Sequence, residues 1–127
     1  MRRIVLISML SLVACGKGDG DKGAGGARDA VINAWKAEKL TVSPLIPAPV
    51  AFAKDCQSGT VEGVEVLLCN FASPDEAKKA VDQGYTWVGG ATGTSEAHGA
   101  ALVVLVDRKK TDPNGRTINR LMKLAPK

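Results

Sequence analysis

The chain predicts a small α+β domain: a sheet of three to four strands with helices packed on it. Three observations predict it. Apolar residues recur at helical spacing over residues 28–39, two strand-like runs flank a turn within a hairpin at about 57–71, and Ala100 to Val106 is an unbroken apolar stretch. Helical and strand periodicities that occupy separate stretches of one segment of domain size point to helices layered on a short sheet.

In chain order, the first helix spans residues 28–39, where Val31, Ile32 and Trp35 make one apolar stripe and the charges take the other face. Pro44, Pro47 and Pro49 then hold the chain extended, with Leu45, Ile46 and Val50 free to pack. This segment reads as an arm over the core. As a polyproline ligand it lacks a PxxP pattern with flanking charge. Thr60-Val61 and Val64 to Leu68 are strand-like, and Glu62-Gly63 between them suits a two-residue hairpin turn. Ser73-Pro74-Asp75-Glu76 opens a helix at about 74–83, with Ser73 as cap, Pro74 in the first turn and Glu76 completing a capping box. Ala77, Ala80 and Val81 give its buried stripe, and Gly84 fits the position past its end. Tyr85 to Val88 reads as a short strand or ordered arm, and Gly89 to Gly99 as a loop rich in Gly, Thr and Ser. Ala100 to Val106 reads as a central strand. Asp112-Pro113 opens a last helix at about 113–124, with a stripe of Ile118, Leu121, Met122 and Ala125.

The hairpin makes a sharper prediction. A two-residue turn at Glu62-Gly63 pairs Val61 with Val64 and Thr60 with Glu65, and the same register carried outward sets Cys56 directly opposite Cys69. Bonded and non-bonded pairs alternate outward from the turn, so the cysteines fall at a non-bonded pair, where Cα atoms are about 4.5 Å apart and within reach of a disulfide. The spacing is no Cys-x-x-Cys. His98 is the only histidine, so a zinc site would need a carboxylate partner. The pair therefore reads as a structural disulfide, and no metal or other cofactor is expected.

The N-terminus bears on location. Arg2 and Arg3 precede an apolar stretch, Ile4 to Val13, broken only by Ser8 and Ser11. Ten helical residues span about 15 Å, half of what a membrane crossing requires, so the segment reads as a signal peptide over residues 1–14. It ends in Leu12-Val13-Ala14-Cys15. This resembles the lipobox of bacterial lipoproteins, in which a branched or small residue and a further small residue stand between Leu and Cys. The resemblance covers residues 1–15 only. It implies diacylglycerol on the Cys15 sulfur, cleavage between Ala14 and Cys15, and acylation of the new amino group, which gives the two or three chains that stable anchoring needs. It also implies a place in the cell envelope. Gly16, where inner-membrane lipoproteins of the enteric type carry Asp, favours the outer membrane if the cell is diderm; otherwise the anchor lies in the outer leaflet of the plasma membrane.

Residues 15–27 then read as the lipidated cysteine and a tether, since half of residues 16–27 are glycine and none is large and apolar. A Gly-rich coil of this length reaches about 20 Å. No strand precedes these glycines and no Gly-Lys-Ser/Thr follows, which excludes a phosphate-binding loop. Residues 28–127 remain as one globular domain. The formal charge of +4 falls to +2 once the signal and its two arginines are removed. With an extracytoplasmic address, nucleic acid is not an expected partner.

Chemistry-bearing residues are few. Ser95 and His98 share the glycine-rich stretch, and Asp82 or Asp107 would have to complete a triad, but Gly93-Thr94-Ser95-Glu96-Ala97 is no nucleophile elbow. Residues 107–127 carry a local excess of five positive charges, including Arg108, Lys109 and Lys110, suited to anionic lipid headgroups, an acidic envelope polymer or an acidic protein patch. Tyr85 and Trp87 offer aromatic surface beside the presumed loop. The expected function is a non-catalytic binding or interaction module anchored at the envelope. The alternatives are an enzyme built on Ser95 and His98, and a structural accessory subunit of an envelope complex.

Overall fold

The computed structural model describes residues 26–127. The segments expected to be the signal peptide, the lipobox with Cys15 and, as far as residue 25, the tether lie outside the described residues. The chain forms helix α1 (Gly26–Ala37), strands β1 (Ile46–Pro47), β2 (Asp55–Val61) and β3 (Val64–Asn70), helices α2 (Pro74–Lys79) and α3 (Val81–Val88), strands β4 (Thr92–His98) and β5 (Ala101–Asp107), and helix α4 (Arg116–Leu124). The strands make one antiparallel sheet in the order β1-β2-β3-β5-β4. The architecture is the predicted α+β, with five strands instead of three or four.

The β2–β3 register is the predicted one along its whole length, from Val61 opposite Val64 to Cys56 opposite Cys69. Glu62 and Gly63 both adopt positive φ, as a tight two-residue hairpin turn requires, and Gly63 takes the larger value, 84°, without steric cost. Cys56 and Cys69 are joined by a disulfide with their Cα atoms 4.0 Å apart.

Alternation along the strands sends Val64, Val66 and Leu68 to one face of the sheet and Glu65, Leu67 and Cys69 to the other. On the first face Val31, Ile32 and Trp35 of α1 meet Ile118, Leu121 and Met122 of α4, and the Trp35 indole N–H donates to the Leu121 carbonyl at 2.9 Å. The second face packs against Ala80 and Val88 of the α2–α3 segment and against Val50 and Phe52 of the proline-containing arm. Strand β5 lies between two covered faces, and all seven of its residues are buried. A continuous apolar run is what such a strand requires.

The proline arm covers the outer edge of β2. Ser43 N–H donates to the Thr60 carbonyl, Ala48 N–H to the Cys56 carbonyl, and Ile46–Pro47 pairs with Gln57 and Ser58. Prolines on an outermost strand leave it a poor template for further pairing.

Four elements differ from expectation. The first helix begins at Gly26, so residues 26 and 27, expected in the tether, are helical. The second helix does not end before Gly84: after a bend at Ala80 it continues as α3 through Tyr85 and Trp87, neither strand nor arm, to Val88. Gly84 is inside α3 because the helix crosses β4 there, and a Cβ at this position would collide with the Ser95 hydroxyl and lie 2.9 Å from Val104 Cγ2. The glycine-rich stretch is not a loop, since Thr92–His98 is β4, paired residue for residue with β5. The last helix starts at Arg116, three residues after Pro113.

Two stability outcomes follow. Removing the disulfide with Cys56→Ala and Cys69→Ala is expected to cost about 3 kcal/mol in urea unfolding, from the chain entropy released by opening a loop of this length. Gly84→Ala, although it improves helix propensity, is expected to destabilise by about 1–3 kcal/mol through overpacking against Ser95 and Val104. An unchanged or raised thermal midpoint for Gly84→Ala would contradict the close crossing.

Candidate functional site

The predicted binding residues Arg108, Lys109 and Lys110 sit where β5 turns toward α4, and two buried aspartates shape that turn. The Asp107 carboxylate, at the end of β5, accepts from the Thr111 N–H at 2.8 Å, the Thr111 hydroxyl at 3.2 Å and the Asp112 N–H at 2.8 Å. The Asp112 carboxylate in turn accepts from the Thr117 and Ile118 N–H groups at 3.1 and 3.0 Å. Asp112 thus caps α4 from three residues before the formal cap, Gly115, which has no side chain to serve that role. Burial acts to raise the Asp107 pKa, but the hydrogen bonds from Asp112 and Thr111 outweigh it and hold the carboxyl below its ordinary value.

This turn aims Arg108 back over the sheet. Its Nε donates to Glu65 at 2.8 Å and its Nη2 to the Trp87 carbonyl at 2.9 Å, and the guanidinium lies 4.9 Å from the centre of the Trp87 ring. The cation therefore sits at the C-terminal end of α3, where free carbonyls and the macrodipole favour it. Arg108 and Trp87, both singled out as binding residues, are brought together, and they bind each other, joining α3 to β3 and β5.

Beside them lies an open groove of about 390 Å³. Ser58, Thr60 and Glu65 contribute to its lining from the face of the hairpin covered elsewhere by α2 and α3, together with Pro44 and Ile46 from the arm and Arg108 and Lys109 from the β5–α4 turn. Among the described residues Ile46 is the most exposed large apolar one, at 61 %. Lys109 has an exposed side chain, whereas the Arg108 head is held by its partners. Among the described residues the groove thus offers the Ser58 and Thr60 hydroxyls, the Lys109 cation and an apolar wall. A second cleft of about 490 Å³ runs between Val50 and Phe52 of the arm and Gln83, Thr86 and Trp87 of α3. Lys110 lines neither; it faces a small depression near Thr92 and Pro113.

The groove residues Ser58, Thr60 and Ile46 were not among the candidates read from the sequence. The signal was present, because the hairpin register places Ser58, Thr60 and Glu65 on one face while Val61, Val64 and Val66 take the other. Three polar side chains at the turn end of an otherwise apolar face mark where helical cover stops.

Ser95 and His98 are not brought together. Strand alternation sends them to opposite faces, and they are 2 % and 1 % exposed. The Ser95 hydroxyl donates to the Val81 carbonyl at 2.9 Å, which fastens β4 to α3. The His98 ring faces two acceptors, the Ala125 carbonyl 3.2 Å from Nδ1 and the Glu96 carboxylate 3.1 Å from Nε2, at the end of α4. Both side chains are buried, so the expected loop, on which only the enzymatic alternative made them a reactive pair, is replaced by two buried fastenings. Tyr85 shares a 3.3 Å hydrogen bond with the Thr94 hydroxyl. The tyrosine belongs to the helix on one face, and Thr94 points to the other, so the Tyr85 ring crosses the outer edge of β4 and shields it from strand addition. Among the described residues, no three His, Cys, Asp or Glu side chains converge as a metal site requires.

The lowered Asp107 carboxyl fixes the sign of a pH effect. A group with a depressed folded-state pKa adds stability above its unfolded value, about 3.9, and that stability is lost as pH falls through the folded value. Asp55, held low chiefly by its hydrogen bond from Arg28, acts in the same direction. The thermal midpoint is expected to be level above about pH 5 and to fall below about pH 4. Asp107→Asn should lower the midpoint at neutral pH and reduce its acid dependence, and equal acid dependence in the two proteins would contradict the assignment.

Comparison of this chain with protein-family models, with curated proteins and with solved structures finds no match, so the functional reading rests on its own residues and geometry.

Proposed function

We propose that this protein is a lipid-anchored bacterial envelope protein whose domain is a non-catalytic binding module, with the groove between the arm and the β5–α4 turn as its ligand surface. The observation that carries this reading is the placement of the groove relative to the chain's entry. Helix α1 starts beside Asp55 and Asn70, where the Arg28 N–H donates to the Asn70 side chain at 3.0 Å and its guanidinium pairs with Asp55 at 2.8 Å. That is the disulfide end of the β2–β3 hairpin. Thr60, Gly63 and Glu65 line the groove at the other end, next to the turn. A domain tethered through Cys15 would be held at one end and present its open surface at the other.

The lining suits an extended ligand with an acidic group for Lys109 and an apolar group for Ile46 and Pro44. Among the described residues the buried charges serve structure, since Arg28 pairs with Asp55 and the Asp107 and Asp112 carboxylates take N–H and hydroxyl donors of the β5–α4 turn; with Ser95 and His98 committed to packing, no observation favours the enzymatic alternative. Among the described residues no helix is long and apolar enough to cross a membrane. Attachment in this reading depends on the acyl chains, with the outer membrane as the favoured site.

Metabolic labelling with a clickable fatty acid tests the anchor. Label is expected on the protein, and Cys15→Ala should abolish it and move the domain from the membrane fraction to the soluble one. An unlabelled wild-type protein overturns the anchor. A photo-crosslinking residue at Ile46 should trap an envelope component that the same group at Lys79, on α2, does not; identical products from both positions overturn the groove assignment.

A further inference from the structure

Helices α1 and α4 lie side by side on one face of the sheet and run in opposite directions, since the start of α4 is fixed by Asp112 at the turn end and its last residues meet His98 at the other. Arg116, Arg120 and Lys123 stand at spacings of four and three, so they share the outward side of α4, opposite its buried Ile118, Leu121 and Met122. Lys36 and Lys39, exposed at the end of α1 and in the turn after it, add to the same layer. On the two helices and the turn its exposed acids are Asp29 and Glu38, and Glu38 approaches Arg120 only to 3.8 Å; the acids of the sheet beneath are engaged, Asp55 by Arg28 of α1 and Glu96 by the His98 ring. These residues leave the layer with an excess of three positive charges. On the opposite layer, α2 and α3 carry Lys78 and Lys79 against Asp75, Glu76 and Asp82, a deficit of one. The asymmetry is a property of the folded domain, invisible in a net charge of +2 for the mature chain.

We infer that the α1–α4 layer is a membrane-docking surface that binds the anionic headgroups of a bilayer. The inference rests on the anchored reading above, because the tether supplies the choice of partner. In that reading the acylated cysteine precedes α1, the helix that forms half of this layer, by only ten residues, which span at most about 35 Å. A domain leashed so closely meets the bilayer more often than any other polyanion, and this is the one helical layer whose charge suits it. Docking would lay the sheet parallel to the membrane with the α2–α3 layer and the groove beside it directed outward. Electrostatics of this kind is short-ranged and salt-sensitive, so the acyl chains hold the protein and the basic layer orients it.

Vesicle flotation of the chain from residue 15 onward, carrying Cys15→Ser and containing the whole described fold, separates docking from anchoring. At about 0.01 M salt it should float with vesicles rich in phosphatidylglycerol and remain unbound with pure phosphatidylcholine, and binding should disappear near 1 M salt, where the Debye length is about 3 Å. Combined Arg116→Glu, Arg120→Glu and Lys123→Glu substitutions should weaken binding by about a hundredfold or more, since each basic residue contributes about fivefold. The corresponding Gln substitutions should weaken it about as much as loss of the three cations alone, and Lys78→Glu with Lys79→Glu should leave it unaltered. All these residues are exposed, so circular dichroism should show every variant folded. Failure to float, equal flotation with both lipids, or a reversed variant that binds like the parent overturns the docking surface. Binding to a soluble polyanion without binding to vesicles overturns it as well. Because position 15 carries no acyl group here, none of these results depends on the labelling of Cys15, and a failed anchor shows only in that separate experiment.

Discussion

Side chains alternate across a strand, so one choice of hairpin register governs most of this domain. With Val61 opposite Val64 and Cys56 opposite Cys69, the residues Val64, Val66 and Leu68 face α1 and α4, while Leu67 and Cys69 join the cluster formed with α3 and the arm. A slip by one residue would exchange the two sets, set Glu65 against the Trp35 layer and separate the cysteines. The disulfide and the hydrophobic pattern therefore specify the same pairing. Strand β5 adds to it directly through β3, and its complete burial follows from being sandwiched between two helical layers that the register has already assigned.

Close packing of α3 on β4 depends on small residues. Gly84 allows the helix backbone to approach Ser95, and Gly93 occupies a place where a Cβ would press on the Leu105 carbonyl and Val88. Ser95 then uses its hydroxyl to bond the Val81 carbonyl, so a polar side chain is buried without loss of its hydrogen bond. Tyr85 finishes the same corner by crossing the strand edge. These residues, which look like loop chemistry when read singly, are jointly a device for seating a short helix on an outer strand.

At the other end of β5, Asp107 and Asp112 relay backbone hydrogen bonds from strand to turn to helix, and the turn they shape carries Arg108 to the end of α3. The consequence is a division of labour within one basic cluster. Arg108 is held by Glu65 and Trp87 and supports the groove wall, Lys109 remains free beside the groove, and Lys110 faces elsewhere. The cations further along, on α4, belong to a different surface altogether.

Features with local causes were legible in the sequence: the Glu62-Gly63 turn and its register, the Ser73 cap, whose hydroxyl accepts from the Glu76 N–H, and the apolar β5. Each depends on residues close in the chain, or on an alternation that carries forward from one turn. Strand β4 was not legible, because Thr92 to Ser95 has neither apolar alternation nor bulk, and it is a strand only because β5 pairs with it and α3 covers it. Gly84 was misread for the same reason. A helix-ending glycine and a helix-crossing glycine have the same letter, and only the position of Ser95 distinguishes them. The groove and the charged layer likewise emerge where separate elements meet: their residues were all visible in the chain, but which of them share a surface was decided by tertiary packing.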